Sequence, residues 1–239
     1  MRYLRSYQFV FDSPKWHLNL LFGAVCQLIP VIGPIVFMGY MYQMIAVLHQ
    51  RRTDQEYPDF DFNRFMPYLT RGVWPFLMSL IVLFPLGFLL GIVYAILGFT
   101  AAAMTGPAGA SDGEGAILLL GFLCFYVFLL AVIFAVSIAL IPMMIRAGFS
   151  QELAFGASWQ FAKDFLARVW KEMVLALLFV WATSLVVIFA GMLLCCIGIY
   201  PAAALIAYAS HHLYYQLYEL YLERGGTLIP YKEDAPTTA

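Results

Sequence analysis

Charge is what this sequence has least of. Only 11% of its 239 residues are Asp, Glu, Lys or Arg, 63% are hydrophobic, and the mean hydropathy is +0.83. Soluble domains carry about 25% charged and about 45–50% apolar residues, so this composition cannot supply a water-facing surface. Lipid is the solvent it predicts, and the length suits one membrane domain of about five or six helices of about 20 residues each. A net charge of −1 leaves no basic surplus, so no nucleic-acid partner is expected. The four cysteines, Cys26, Cys124, Cys195 and Cys196, all lie in apolar runs. Without a C-x-x-C or a His/Cys cluster at zinc spacing, they read as small buried apolar residues, and no disulfide framework, metal or other cofactor is expected. The sequence also lacks a Gly-rich phosphate loop, a Ser nucleophile elbow, an H-E-x-x-H and paired carboxylates within one apolar run, so soluble enzyme classes have no foothold. The first 11 residues alternate polar and apolar side chains without a continuous apolar core, which reads as an interfacial segment and not a cleaved signal.

What the sequence has instead is long apolar runs. The first covers residues 16–48. As one helix at about 1.5 Å per residue it would measure nearly 50 Å, against a hydrocarbon core of about 30 Å. Pro30 and Pro34 each remove a backbone donor, and Gly33 permits a turn conformation. Two helices over 14–29 and 35–50 are therefore expected, starting with Ser13 as N-cap and Pro14 at the first helical position. A single tilted, kinked helix is the rival. Further segments are predicted over 73–99, with a kink at Pro85, and over 116–145, 172–194 and 201–222. Interfacial amphipathic helices are predicted over 62–71 and 150–168. Residues 100–115 read as a loop rich in Gly and Ala. The loop 51–61 interleaves Asp54, Glu56, Asp59 and Asp61 with Tyr57 and Phe60, and reads as a solvated loop with aromatic anchors or a docking segment. Residues 1–225 form one membrane domain on this reading, and 226–239 a polar cytoplasmic tail.

Lys and Arg concentrate in cytoplasmic loops. With the first run folded back on itself, all 13 basic residues fall on one side, and the predicted loop 100–115 on the other side holds none. With a single first span, Arg2, Arg5 and Lys15 fall on the wrong side. The fold class that follows is an all-α polytopic transmembrane helical bundle: three helical hairpins, the first short and Pro/Gly-broken, plus interfacial helices, with both termini cytoplasmic.

Helices in lipid associate through small residues and interhelical hydrogen bonds. Gly87, Gly91 and Ala95 form one small stripe and Ala131, Ala135 and Ala139 another on the next run, which predicts that the two pack together or that the glycine stripe joins two copies. The most polar apolar run is the last. At about 100° per residue, His212, Gln216, Glu219 and Glu223 share one face, and Ala203, Ala207, His211, Tyr215 and Tyr218 another. These groups either hydrogen-bond neighbouring helices, with Glu219 paired to Arg146, or line a substrate or proton path. Gln27 and Gln43 in the first run are further path candidates, because a broken helix exposes backbone groups at membrane depth. Adjacent His side chains diverge by about 100°, which is poor metal geometry.

The segments Ile29-Pro30-Val31-Ile32-Gly33-Pro34, Gly39-Tyr40 and Tyr57-Pro58-Asp59-Phe60, with residues 191–201 and the His/Tyr-rich stretch 212–218, resemble a prokaryotic membrane family, domain of unknown function 4013. The resemblance covers most of residues 16–221. It implies a polytopic bacterial or archaeal membrane protein and carries over no activity, cofactor or catalytic residue.

The expected role is non-enzymatic, organising or accessory. Its partners are membrane lipid and proteins met through cytoplasmic loops, in a chain that can self-associate. A small transporter or lipid-handling permease is the alternative, and an intramembrane enzyme the third. A cysteine introduced at position 5 is expected to resist an impermeant maleimide applied to intact cells; labelling from outside would return the first run to a single span.

Overall fold

A computed structural model of the chain describes residues 1–52, 57–105, 112–193 and 197–233. Asp54, Glu56, Cys195 and Cys196 lie outside them. Every regular element among the described residues is helical. A short helix α1 (Arg5–Gln8) runs into a 3-10 turn (Phe9–Asp12), followed by α2 (Trp16–Leu28) and α3 (Ile32–Arg51). A second 3-10 turn (Phe62–Arg64) leads into α4 (Phe65–Thr105), then α5 (Asp112–Ser150), α6 (Phe155–Leu193) and α7 (Ile199–Glu223). Four stretches, Ile32–Arg51, Phe62–Ala103, Gly115–Ser150 and Phe155–Leu193, are long and apolar enough to cross a membrane. The protein is an all-α membrane protein.

The first apolar run breaks where the prolines are, and the chain folds back there: Gly23 of α2 lies against the Phe37 ring of α3. The turn itself falls on an unexpected residue. Val31 adopts φ 66°, ψ −61°, and the Ile32 N–H donates to the Pro30 carbonyl at 2.8 Å. This is a γ-turn of the rare, strained hand. Gly33, to which the sequence reading gives the turn conformation, serves the packing instead. It lies in the first turn of α3, where an added Cβ would sit 1.9 Å from the Cys26 carbonyl oxygen. α2 has 13 residues, so it rises about 20 Å and stops short of a hydrocarbon core of about 30 Å. The tip is apolar and exposed at Leu28, Ile29, Val31 and Ile32.

The two interfacial helices are not separate elements. The predicted 62–71 segment is the 3-10 turn plus the start of α4, which stays helical through Pro75 and Pro85. Gly72 and Pro75 form a common helix-ending pattern, but here Gly72 serves the close packing on the Ile35 carbonyl of α3 and the helix runs on. The predicted 150–168 segment continues as α6, and only Val169 leaves helical geometry, at φ −131°, ψ 21°. α4 also extends to Thr105, into the stretch read as a loop. Ala101, Ala102 and Ala103 are strong helix formers and carry it on.

The chain divides into two compact units, Met1–Met78 with Ile138–Ala239, and Ser79–Ser137. All 13 basic residues belong to the first unit. Its centre is α7, which packs on α1, α2, α3 and α6. Ala204, Tyr208, Leu213, Leu217, Tyr218 and Tyr221 are wholly buried there. α3 and α4 meet at Gly39 and Gly72. A Cβ on either would lie 1.8 Å from a carbonyl oxygen of the other helix, that of Tyr68 or Ile35.

The first unit also keeps more of the chain than the sequence reading assigns to it. After Gly225 ends α7 at φ +78°, residues 227–232 lie back on the helices. The Ile229 N–H donates to the Tyr218 hydroxyl at 3.0 Å, and the Lys232 N–H to the Phe149 carbonyl at 3.0 Å. The wholly buried Arg71 ties this strap down. It donates to the Gly148 carbonyl at 3.0 Å and the Lys232 carbonyl at 2.8 Å, with the Tyr231 ring 4.4 Å from its guanidinium carbon. The carbonyls at the end of a helix lack intrahelical partners, and a cation suits that end of the helix dipole.

In the second unit, Tyr94 of α4 packs on Phe122 and Phe125 of α5, with ring centroids 6.3 and 6.0 Å apart. The small stripes play no part in this contact. A Cβ added at Gly87 or Gly91 meets nothing within 4 Å, and Ala95, Ala131 and Ala135 are exposed. Ala139 belongs to the first unit. The expected packing of stripe on stripe is therefore corrected: backbones approach closely at Gly39 and Gly72, and bulky aromatics join the second unit.

Two substitutions in the turn are expected to act in opposite directions. Gly33→Ala forces α3 off the Cys26 carbonyl and lowers stability by about 1–3 kcal/mol, the usual cost of overpacking. Val31→Gly relieves the left-handed conformation and raises stability by about 1 kcal/mol. Thermal unfolding of the purified protein in mild detergent reads both, and a destabilised Val31→Gly would show that the turn is not strained.

Candidate functional site

A concave polar surface of the first unit is a groove of about 900 Å³ where the ends of α3 and α7 meet the N-terminal segment. His49 and Arg52 come from α3 and its cap, Glu219 and Glu223 from the last turns of α7, and Arg2 from the chain before α1. Gln216 holds Arg2 in place. Its Oε1 accepts from the Arg2 backbone N–H at 2.8 Å, and its Nε2 reaches the Arg2 carbonyl at 3.3 Å and His212 Nδ1 at 3.2 Å. The carboxylate of Glu219 lies 2.5 Å from His49 Nδ1, and the His49 ring leans on Tyr218 with centroids 5.3 Å apart.

The sequence reading pairs Glu219 with Arg146. The structure pairs it with His49, because α3 is the helix that flanks this face of α7. Arg146 instead donates to Ser158 Oγ at 3.2 Å. Of the residues on the two predicted faces of α7, Tyr215, Gln216, Glu219 and Glu223 line the groove, and Gln27, Gln43, His211, His212 and Arg146 do not. His212 is wholly buried and stacked on Phe9 with ring centroids 4.2 Å apart. His211 turns the other way, with its Nδ1 2.8 Å from the Ala207 carbonyl and its ring against Tyr42 and Tyr214. Gln43 is buried, and its amide oxygen, turned to satisfy both groups, accepts from the two terminal nitrogens of Arg64 at 2.5 and 2.7 Å. Gln27 stands half-buried near the end of α2. The sequence reading passes over His49, Arg2 and Arg52. A usable signal is present: the run His49-Gln50-Arg51-Arg52 closes one helix as Glu219 and Glu223 close another, and both ends were already placed on one side.

A second polar cluster fastens the loop after α3. Asp59 Oδ1 accepts from the Ser13 hydroxyl at 2.7 Å and from Asn19 Nδ2 at 2.9 Å, while the Lys15 ammonium stands 3.7 Å from Oδ2. The Asn19 amide oxygen accepts from the Phe60 N–H at 3.0 Å. Tyr40 donates to the Pro58 carbonyl at 2.8 Å, and Tyr57 to the Val10 carbonyl at 2.6 Å. Tyr57 and Phe60 are buried, so they anchor the loop within this chain. Ser13 caps no helix; it serves Asp59. Burial works against the Asp59 charge, but the hydrogen bonds from Ser13 and Asn19 and the nearby Lys15 outweigh it and hold the carboxyl below its ordinary value. Among the described residues no cluster of His, Cys, Asp or Glu could hold a metal ion.

A carboxyl whose folded value is depressed stabilises the fold above its unfolded value, about 3.9, and that contribution is lost as the pH falls through the lower folded value. Asp59→Asn keeps one acceptor and loses the charge, and is expected to cost about 1–3 kcal/mol at pH 7. The deficit relative to the native chain should shrink as the pH falls below about 4. Unfolding midpoints across pH 3–7, measured with and without the substitution, check both the cost and its sign.

No curated protein and no solved structure matches this chain. The family model described as protein of unknown function, DUF4013, matches residues 22–196. That span takes in the hairpin turn, the Gly39 and Gly72 crossing, the Tyr57-Pro58-Asp59-Phe60 clasp and the kink of α6, so the chain belongs to the DUF4013 family.

Proposed function

We propose that the protein is a non-enzymatic organising or accessory component of a bacterial or archaeal cytoplasmic membrane, with both termini on the cytoplasmic side. It binds lipid, and proteins met through its cytoplasmic face. One observation carries this reading: the polar residues a permeation path would need are spent on packing. Gln43 faces Arg64, His211 faces its own helix and Tyr42, and His212 is stacked on Phe9. None of these, nor Gln27, lines the groove. Gln43 thereby ties α3 to the turn before α4, and the two imidazoles pack on rings of neighbouring elements.

The distribution of charge supports the orientation. The segment 79–137 holds no Lys or Arg, and the basic residues sit in the remainder of the chain, as expected when that remainder carries the cytoplasmic face. The start of α6 supports an interfacial attachment. Phe155, Trp159 and Trp170 are exposed, with the Lys163 and Lys171 ammonium groups over Trp159 and Trp170. Exposed aromatics beside lysines are the side chains that settle at the headgroup layer.

Proteoliposomes holding the purified chain are expected to keep an imposed pH gradient as long as empty liposomes do, read with an entrapped pH-sensitive dye. His212→Asn should lower the unfolding midpoint and leave that leak unchanged. A faster collapse of the gradient that disappears in a well-folded His212→Asn variant would replace this reading with the transporter.

A further inference from the structure

We infer that the groove between the ends of α3 and α7 is a site for the phosphoethanolamine headgroup of a membrane phospholipid. The inference rests on the lipid-binding role proposed above and names the lipid. Its volume of about 900 Å³ lies in the range of small-molecule sites, about 300–1,000 Å³.

The lining carries both signs of charge. Among the described residues, Arg2 and Arg52 line it, and so do Glu219 and Glu223. A purely anionic headgroup would meet the guanidinium groups but would also lie against the carboxylates. A headgroup with one phosphate and one ammonium meets both. Guanidinium forks match phosphate oxygens, and an ammonium suits carboxylates set at the ends of two helices, where the partial charge of the backbone is negative. α3 ends at Arg51 and α7 at Glu223, so both helices bring that end to the groove.

The lining also chooses between a primary and a quaternary ammonium. Choline sites are cages of aromatic faces, because a quaternary ammonium has no N–H to donate. Among the described residues, this groove offers one aromatic carbocycle, Tyr215, and two carboxylates. Its acceptors suit the three N–H donors of ethanolamine. Glu219 is held in place by His49 at 2.5 Å, and the Arg2 backbone by Gln216 at 2.8 Å, so part of the floor is fixed before a ligand arrives. The acyl chains have a place as well. Met1 lines the groove with Leu220 and Leu222.

The full chain is reconstituted in vesicles of equimolar phosphatidylethanolamine, phosphatidylcholine and phosphatidylglycerol with identical acyl chains. It is then extracted in mild detergent, and the retained lipids are counted by native mass spectrometry. Phosphatidylethanolamine is expected to exceed phosphatidylcholine about fivefold, the weight of one exposed charge-assisted contact. Glu223→Gln should bring that ratio close to one, and Arg52→Gln should lower retention of all three lipids. Both side chains are exposed, and unchanged unfolding midpoints of the variants verify the fold. Equal retention of the ethanolamine and choline lipids, a preference for phosphatidylglycerol, or a ratio indifferent to Glu223→Gln overturns the assignment while leaving a lipid-binding role standing. Loss of every phospholipid from the native chain removes both. Soluble glycerophosphoethanolamine binding as tightly as the lipid would make the groove a site for a free phosphoester, and that too overturns it.

Discussion

The first unit is built to cover α7. This helix carries Tyr208, Ser210, His211, His212, Tyr214, Tyr215, Gln216, Tyr218 and Glu219 within three turns of chain, and hydroxyl and imidazole groups left bare in lipid are costly. The neighbouring elements supply what these groups need. Tyr208 reaches Tyr40 of α3 at 3.3 Å. His212 lies under Phe9, Glu219 meets His49, and Tyr218 accepts from the strap at Ile229. Tyr221 donates to Asp164 of α6 at 2.6 Å. Apolar burial supplies little drive between helices in lipid, so these bonds, with close backbone contacts, decide which helices lie together.

How much of this was legible depends on the kind of signal. The break in the first run was visible because Pro30 and Pro34 remove backbone donors wherever they stand. Which residue would take the unusual φ was not visible, because Gly33, three residues after the first proline, is the better local candidate. Only the contact of Gly33 with the Cys26 carbonyl explains why the strain falls on Val31. The same limit hides where small residues pack. Gly87 and Gly91 have the repeat spacing, but the spacing does not say which face has a neighbour. Gly39 and Gly72 belong to no such repeat and meet each other across the crossing.

The polar clusters divide in the same way. The Tyr57-Pro58-Asp59-Phe60 motif was legible as anchored aromatics, but its partners Ser13 and Asn19 lie 46 and 40 residues from Asp59, beyond any local pattern. Arg71 looked like an ordinary flanking cation. It is wholly buried because it closes the end of α5 and the strap together. The groove was half legible. The acidic side came from helical periodicity on α7, and the basic side required knowing that α3 and the N-terminal segment arrive at the same place.

The position of α7 in the chain has a consequence for synthesis. The α2–α3 hairpin is translated early, and its main partner begins at Ile199. At roughly 5–20 residues per second, the ribosome needs on the order of ten to thirty seconds to make the intervening chain. During that interval Tyr40 and His49 lack the helix that they contact in the finished fold. The elements made first must therefore persist without their main partner until α7 joins them.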